Sequence, residues 1–123
     1  MKLEICIDVD DVDRAVKFYG RGLGLEIPQH EKEWAKAVLG GQVFWIMEVA
    51  AGPSGAISRS YQRHWTPIHL DFHVGDIDLA VKRAIEAGGK LDREIQRNPE
   101  GGAMANLSDP SGNGIDLVQA ARK

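Results

Sequence analysis

The sequence predicts an α+β fold made from two copies of one βαβββ module. Its 123 residues, 43% of them hydrophobic, are enough for one compact domain with a buried core. Each half opens with alternating apolar and polar residues, which is typical of a half-buried strand, and then changes to helical spacing. When the sequence is shifted by 65 positions, VDDVDRAVK (9–17) lies over VGDIDLAVK (74–82) with six of nine residues identical. This match indicates an internal repeat.

The first module is predicted to cover residues 1–50. Apolar and polar residues alternate along residues 3–9, and Asp11 is a suitable N-cap for the helix that follows. Gly22 and Gly24 are predicted to end this helix. Three strands are then expected near 25–31, 34–39 and 42–50, the last being rich in β-branched and aromatic residues.

The second module is predicted to cover residues 67–123 and to repeat this order. The strand IHLDFHV is followed by Asp76 as N-cap, a helical apolar stripe, and a stop at Gly88 and Gly89. Further strands are expected near 91–96, 103–108 and 114–119, with the turn DPSGNG between the last two. The segment between the modules, 51–66, is rich in Gly, Pro and Ser and is predicted to be a connecting loop.

Composition excludes several classes of protein. A net charge of −3 and a pI of about 5.8 do not match the basic surface of a nucleic-acid-binding protein. No apolar run is long enough for a membrane span, and the acidic N-terminal stretch does not resemble a signal peptide. One cysteine, Cys6, leaves no internal disulfide. We therefore expect a cytoplasmic protein that acts on a small molecule, without nucleic acid or membrane partners.

The polar faces of the strands suggest a metal site. His69, Asp71 and His73 alternate with the apolar residues of one strand, and the repeat places Glu4 at the position equivalent to His69. A set of carboxylates and an imidazole on a concave sheet face can bind Zn²⁺, Mn²⁺, Ni²⁺ or Fe²⁺. The alternatives are ordinary ones: a strand histidine is more often a hydrogen-bonding residue, and Glu4 can be a solvated edge residue.

Two other strands contribute to this prediction. Phe44 and Glu48 share one face of the strand QVFWIMEVA, which we predict to be the concave face, with Trp45 in the core or at an interface. In GIDLVQ the apolar residues face the core, so that Asp116 faces the other way, although it can also cap the preceding turn.

The stretches DVDDVDRAVKFYGRGLGLEI and NLSDPSGNGIDLVQ resemble the vicinal oxygen chelate superfamily, which includes glyoxalase I, bleomycin-resistance proteins, methylmalonyl-CoA epimerase and extradiol dioxygenases. The resemblance covers nearly the whole chain and implies a cupped, eight-stranded mixed sheet. It also implies metal ligands at Glu4, Glu48, His69 and Asp116. Two of these depart from the usual pattern, since Glu4 stands where histidine is common and Asp116 where glutamate is usual.

The resemblance implies two possible functions. The first is a metal-dependent enzyme that acts on a vicinal-oxygen metabolite, with a lyase or isomerase favoured over a dioxygenase. Its reaction would pass through an enediolate-like intermediate, with Glu48 or Asp116 as the base. The second is metal-free sequestration of a drug, as in bleomycin-resistance proteins. Family members pair their modules, so a homodimer is expected, either swapped or unswapped.

Residues that could contact the substrate are predicted in two places. Phe44, Asp71 and His73 are expected to face the concavity. Arg63 and Trp65 lie in the segment before the second module, where arginine suits a carboxylate or phosphate and tryptophan a flat apolar group. A solvated loop explains the latter pair equally well.

Overall fold

The strands and helices follow the predicted repeat. A computed structural model describes residues 1–54 and 57–122. The elements of the first half are β1 (Ile5–Val9), α1 (Val12–Val16), a π-helical segment (Lys17–Gly22), β2 (Glu26–His30), β3 (Trp34–Leu39) and β4 (Gln42–Glu48). A short hairpin follows, formed by β5 (Gly52–Ser54) and β6 (Ile57–Arg59). The elements of the second half are β7 (Leu70–His73), α2 (Ile77–Glu86), β8 (Lys90–Leu91), β9 (Gln96–Arg97), β10 (Ala103–Ser108) and β11 (Gly114–Gln119).

Each half forms its own mixed sheet with the same topology. The first sheet has the order β1-β4-β3-β2, with β1 parallel to β4. The second has the order β7-β11-β10-β8, with β7 parallel to β11 and β9 added beside β10. The predicted α+β fold is therefore confirmed. The strands of the two modules are hydrogen-bonded as two separate sheets, and the segment predicted to be a connecting loop contains the two-stranded hairpin β5–β6.

Both helices begin as the sequence predicts. The Asp11 carboxylate accepts a hydrogen bond from the backbone N–H of Arg14, and the Asp76 carboxylate accepts one from Leu79, each at 3.1 Å. The first helix continues beyond Val16 as the π-helical segment. Within the described residues, no helix has both the length and the apolar character that a membrane crossing requires.

The two modules share one hydrophobic core, in which the helices pack on one face of the sheets. Phe44 of β4 and Phe72 of β7 stack with their ring centroids 6.4 Å apart. Gly89, after α2, allows a close approach to the first helix, because a Cβ there would lie 2.5 Å from the ring of Phe18. The burial of side chains from both halves joins the modules through packing.

A polar network reinforces this junction. The Tyr19 hydroxyl donates to Asp109 at 2.6 Å, and both residues are buried. The Asn113 amide donates to Asp109 and to the backbone carbonyl of Asp8 in β1. The Ser111 hydroxyl donates to Asp10 at 2.7 Å. We call this network, Asp8, Asp10, Tyr19, Asp109, Ser111 and Asn113, the clasp, because it holds the turn before β11 against the start of the first module.

Candidate metal centre and substrate cavity

Each sheet has a face covered by the helices and an opposite face, which we call the helix face and the open face. Ile7 and Val9 of β1 lie on the helix face and are buried. In the second sheet, Phe72, Ile115 and Leu117 lie on the helix face, which turns Asp71 and Asp116 to the open face. The prediction that Asp116 faces away from the core-facing residues of its strand therefore agrees with the structure.

Three potential metal ligands meet on the open face of the second sheet. Register makes Asp71 the direct neighbour of Asp116, and His69 lies two residues before Asp71 on the same face. His69 Nδ1 is 3.0 Å from Asp71 Oδ1 and 3.7 Å from Asp116 Oδ2. One ligand atom from each residue lies within 4.8 Å of the other two. We call these residues the trio.

Asp116 differs from its neighbours because it is only 4% exposed. The Asn106 amide on β10 donates to its Oδ1 at 2.5 Å. Burial raises the pKa of the Asp116 carboxyl above its ordinary value, the hydrogen bond from Asn106 opposes that rise, and the charge of Asp71 adds to it. Asp116 is thus a buried carboxyl that holds a proton more readily than an exposed aspartate does.

His69 packs against Trp65. The two ring centroids are 4.5 Å apart, and Trp65 lies over Gly114, where a Cβ would come 2.2 Å from the indole. The guanidinium of Arg63 lies over the same indole at 5.5 Å but forms its ion pair with Asp92. Of the two predicted substrate residues in this segment, Trp65 therefore contacts the trio, whereas Arg63 is held by Asp92.

Glu4 lies on the open face of the first module, apart from the trio. The Trp45 indole N–H donates to Glu4 Oε2 at 2.6 Å, and Lys2 forms an ion pair with the other oxygen at 3.3 Å. The hydrogen bond from Trp45, and then that from Lys2, lower the pKa of Glu4. Glu4 is therefore engaged by its own module rather than joined to His69 and Asp116.

The predicted position of Glu48 was wrong. It lies on the helix face, where Val9 is its neighbour on β1, and its Oε1 accepts a hydrogen bond from the backbone N–H of Val12 at 3.0 Å. In the second module, the Gln119 side-chain oxygen accepts a hydrogen bond from the backbone N–H of Ile77 at 2.8 Å. The first N–H groups of a helix have no partner inside the helix, so both side chains satisfy a helix start. The structure does not bring Glu48 together with the trio.

The predicted faces of Phe44 and Trp45 were also reversed. Phe44 is buried on the helix face, and Trp45 lies on the open face beside Trp34, with ring centroids 5.8 Å apart. The Lys36 ammonium lies over the Trp45 ring at 5.6 Å. Trp45 pairs with Cys6 as Asp116 pairs with Asp71, so it occupies the position equivalent to Asp116. An alignment of FWIME (44–48) with IDLVQ (115–119) places Trp45 at the position of Asp116, but strand pairing is needed to choose this alignment.

His73 lies on the same face as Asp71, as predicted, and its neighbour on β11 is Val118. Its side chain is exposed and makes no hydrogen bond to any part of the chain that the structure describes. It is not among the residues that line the cavity described next.

A cavity of about 740 Å³ borders the trio at His69. It lies between β1 and the start of β7, under the segment 59–66. Arg59 of this segment pairs with Asp8 at 2.8 Å, and Tyr61 donates to the carbonyl of Val49 at 2.5 Å. The cavity is lined by Ile5, Cys6, Ile7, Asp8, Tyr19, Arg59, Ser60, Tyr61, His64, Thr66, Ile68, His69, Leu70, Asn113, Gly114 and Ile115. This mixture of apolar and polar groups is typical of a small-molecule site.

Comparisons of this chain with known proteins point to one family. The model of the Glyoxalase-like domain matches residues 4–118. The anthracycline biosynthesis proteins DauV of Streptomyces sp. (strain C5) and DnrV of Streptomyces peucetius are each 37% identical over 68 residues. That match covers 55% of this chain and 22% of each relative.

Solved structures share the fold at low sequence identity. The fosfomycin resistance protein FosX of Listeria monocytogenes has a TM-score of 0.73 at 16% identity, covering 100% of this chain and 93% of FosX. A glyoxalase-related enzyme of Fulvimarina pelagi has a TM-score of 0.72 at 19% identity, covering 98% and 89%. Lactoylglutathione lyase of Agrobacterium tumefaciens has a TM-score of 0.67 at 20% identity, covering 98% and 93%.

Proposed function

The chain belongs to the glyoxalase-like domain family of the vicinal oxygen chelate superfamily, and from this premise we propose that it is a metal-dependent lyase or isomerase of a small metabolite with two neighbouring oxygens. The observation that supports the proposal is the trio, whose ligand atoms lie within 4.8 Å of one another beside a cavity of about 740 Å³.

The residues present fit a divalent ion. The trio supplies one imidazole nitrogen and two carboxylate oxygens, a set suited to Zn²⁺, Mn²⁺, Ni²⁺ or Fe²⁺. Separations of 3.0 and 3.7 Å are close to those between neighbouring ligands on one ion, whose bonds are about 2.0–2.2 Å long. Such an ion would act as a Lewis acid toward the substrate oxygens.

Asp116 is the residue we assign to proton transfer. Its Oδ1 is held by Asn106, while its Oδ2 lies 3.7 Å from His69 Nδ1. A carboxylate is an effective base near neutral pH only when its pKa is raised; burial has this effect on Asp116 without a bound ion, and the charge of a divalent ion would oppose it. Glu48, the other base predicted from sequence, is bound to the start of α1 instead.

The cavity would orient the substrate beside the trio. Its apolar part is formed by isoleucine and leucine side chains of β1, β7 and β11, and its polar part includes the Arg59–Asp8 pair. A volume of about 740 Å³ is large enough for a metabolite of drug size. Trp65, packed against His69, would shield one side of the site from water.

Elemental analysis of the purified protein tests whether the chain binds a divalent metal ion. We expect about one divalent ion per chain, bound at least about tenfold more weakly in His69→Ala and Asp116→Asn, because each loses one ligand. Glu48→Gln is the matched control, since glutamine performs the same capping task at position 119. Unchanged metal affinity in His69→Ala would contradict the assignment, and so would metal loss confined to Glu48→Gln.

A metal-free binding protein is the second candidate, favoured by the pair Trp34 and Trp45 on the open face of the first module. Tryptophan faces bind flat or cationic groups. Two relatives are named for anthracycline biosynthesis, so an anthracycline is a reasonable probe. If the chain is a metal-free binding protein, the probe should quench tryptophan fluorescence saturably and still do so in EDTA. If it is a metal-dependent enzyme, EDTA should abolish the binding of a ligand beside the trio.

We further propose a homodimer that acts in the cytoplasm. Strands β1 and β7 of the same chain line the cavity, which supports an unswapped arrangement in which each chain contains its own site. Light scattering at micromolar concentration is expected to give twice the mass of 13.5 kDa. A monomer under these conditions would contradict the dimer and leave the metal proposal standing.

A further inference from the structure

A second cavity, of about 420 Å³, lies on another part of the molecule. It is bounded by the first helix, the end of α2 and the turn before β11, and none of the trio lines it. Four cationic side chains contribute to its wall: Arg14, Lys17, Arg63 and Lys90. In a chain whose net charge is −3, such a concentration of positive charge requires a specific explanation.

Two of these cations are already paired. Arg14 forms ion pairs with Asp10 and Asp11 at 3.0 and 3.4 Å, and Arg63 pairs with Asp92. In contrast, Lys17 and Lys90 have no ion pair or hydrogen-bond partner among the residues that the structure describes. Their positive charges are therefore available to a ligand.

The acidic residue in the wall does not neutralise these lysines. Asp109 is 3% exposed, and its carboxylate accepts hydrogen bonds from the Tyr19 hydroxyl, the backbone N–H groups of Ser111 and Asn113, and the Asn113 amide. A carboxylate with this many donors is fully engaged by the clasp.

A serine side chain also borders the cavity. Ser108, at the end of β10, is 3% exposed, and its side chain makes no hydrogen bond within the described part of the chain. Because this side chain lines the cavity and Lys90 is the neighbour of Ser108 in the pairing of β8 with β10, its hydroxyl can donate a hydrogen bond to a ligand held by the lysines.

The positive wall continues into a neighbouring cavity of about 340 Å³. The two cavities share Lys17 and Ala87, and the second adds Arg21 and Arg83, with Glu86 as its acidic residue. A ligand with two separated anionic groups could therefore be bound along this surface, with Lys17 between its ends.

We propose that this cavity binds a small phosphorylated metabolite. Lys17 and Lys90 supply the charge, and the Ser108 hydroxyl donates a hydrogen bond to a phosphate oxygen. Phosphate suits the site because its several oxygens can accept from two ammonium groups and a hydroxyl at once. The cavity is small and the chain acidic, which favours a metabolite over a nucleic acid strand.

Calorimetric titration of the full chain with inorganic pyrophosphate tests this site. We expect saturable binding that weakens about tenfold in Lys17→Gln and in Lys90→Gln, and about threefold or more in Ser108→Ala. Lys32→Gln is the matched control, because Lys32 is an exposed lysine that lines neither cavity. The His69→Ala variant should bind pyrophosphate normally, which separates this site from any ion held by the trio.

Circular dichroism melts establish that each variant is folded before its affinity is compared. Affinities that are the same within about twofold in all three lysine variants would overturn the proposal. Binding that disappears in His69→Ala would also overturn it, because pyrophosphate would then be bound at the trio. Tighter binding of a single-stranded RNA than of pyrophosphate, lost in Lys17→Gln, would replace the metabolite with nucleic acid.

Discussion

Replacing Glu48 separates its two possible roles, as a metal ligand or as a support for the first helix. The structure shows Oε1 accepting from the backbone N–H of Val12 at 3.0 Å. A hydrogen bond of this kind at a helix start contributes about 1 kcal/mol, and an exposed negative charge there adds about 0.3–1 kcal/mol. We therefore expect Glu48→Ala to lower the free energy of unfolding by roughly 1.5 kcal/mol. Glu48→Gln should lower it by about 0.5 kcal/mol, because the acceptor is kept.

The assay is urea unfolding followed by circular dichroism, with metal content measured on the same samples. A loss of roughly 1.5 kcal/mol corresponds to a decrease in Tm of several degrees for a chain of this length, which is readily measured. Both variants should keep their metal. The reasoning is refuted if Glu48→Gln is as unstable as Glu48→Ala, or if Glu48→Gln loses its metal while remaining folded.

Three further predictions concern other contacts. Trp45→Phe removes the hydrogen bond to Glu4 and should raise the pKa of that carboxyl toward its ordinary value, seen by NMR titration. Because folding lowers the pKa of Glu4, the stability that this bond contributes is fully present at pH values above the ordinary pKa of a glutamate and is lost as the pH falls through the folded pKa. A Glu4 titration curve that is the same in Trp45→Phe as in the unchanged chain would contradict this prediction. Tyr19→Phe removes a buried donor to a carboxylate and should cost about 1.5–3 kcal/mol in urea unfolding, whereas less than about 0.5 kcal/mol would show that the clasp contributes little. Gly89→Ala places a methyl group 2.5 Å from a phenyl carbon and should cost about 1–3 kcal/mol, whereas Gly75→Ala, with no atom within 4 Å, should cost much less; equal losses would refute the packing argument.

The repeat and its elements could be read from the sequence because local patterns carry them. Alternation identified β1 and β7, and Asp11 and Asp76 cap their helices as predicted. The open-face position of Asp116 also followed from alternation, since its neighbours Ile115 and Leu117 are strongly apolar. Residues 55–56, inside the predicted loop, lie outside the described residues.

Strand β4 was misassigned because both of its faces are apolar. Phe44 and Ile46 alternate with Trp45 and Met47, so periodicity separates two sets of residues but does not say which set meets the helices. Only the pairing with β1 decides this, and pairing is a long-range property. For the same reason, the contact of Asp71 with Asp116 could not be inferred from their separation in the chain.

The clasp has a consequence for how the chain could be divided. The modules are joined by a shared core and by hydrogen bonds from the turn at 109–113 to the first module, so their cohesion does not depend on a continuous backbone between them. Cleavage within the segment that links them should leave two fragments that remain associated. Fragments expressed separately should reassemble, which would make this fold a natural starting point for a split-protein reporter.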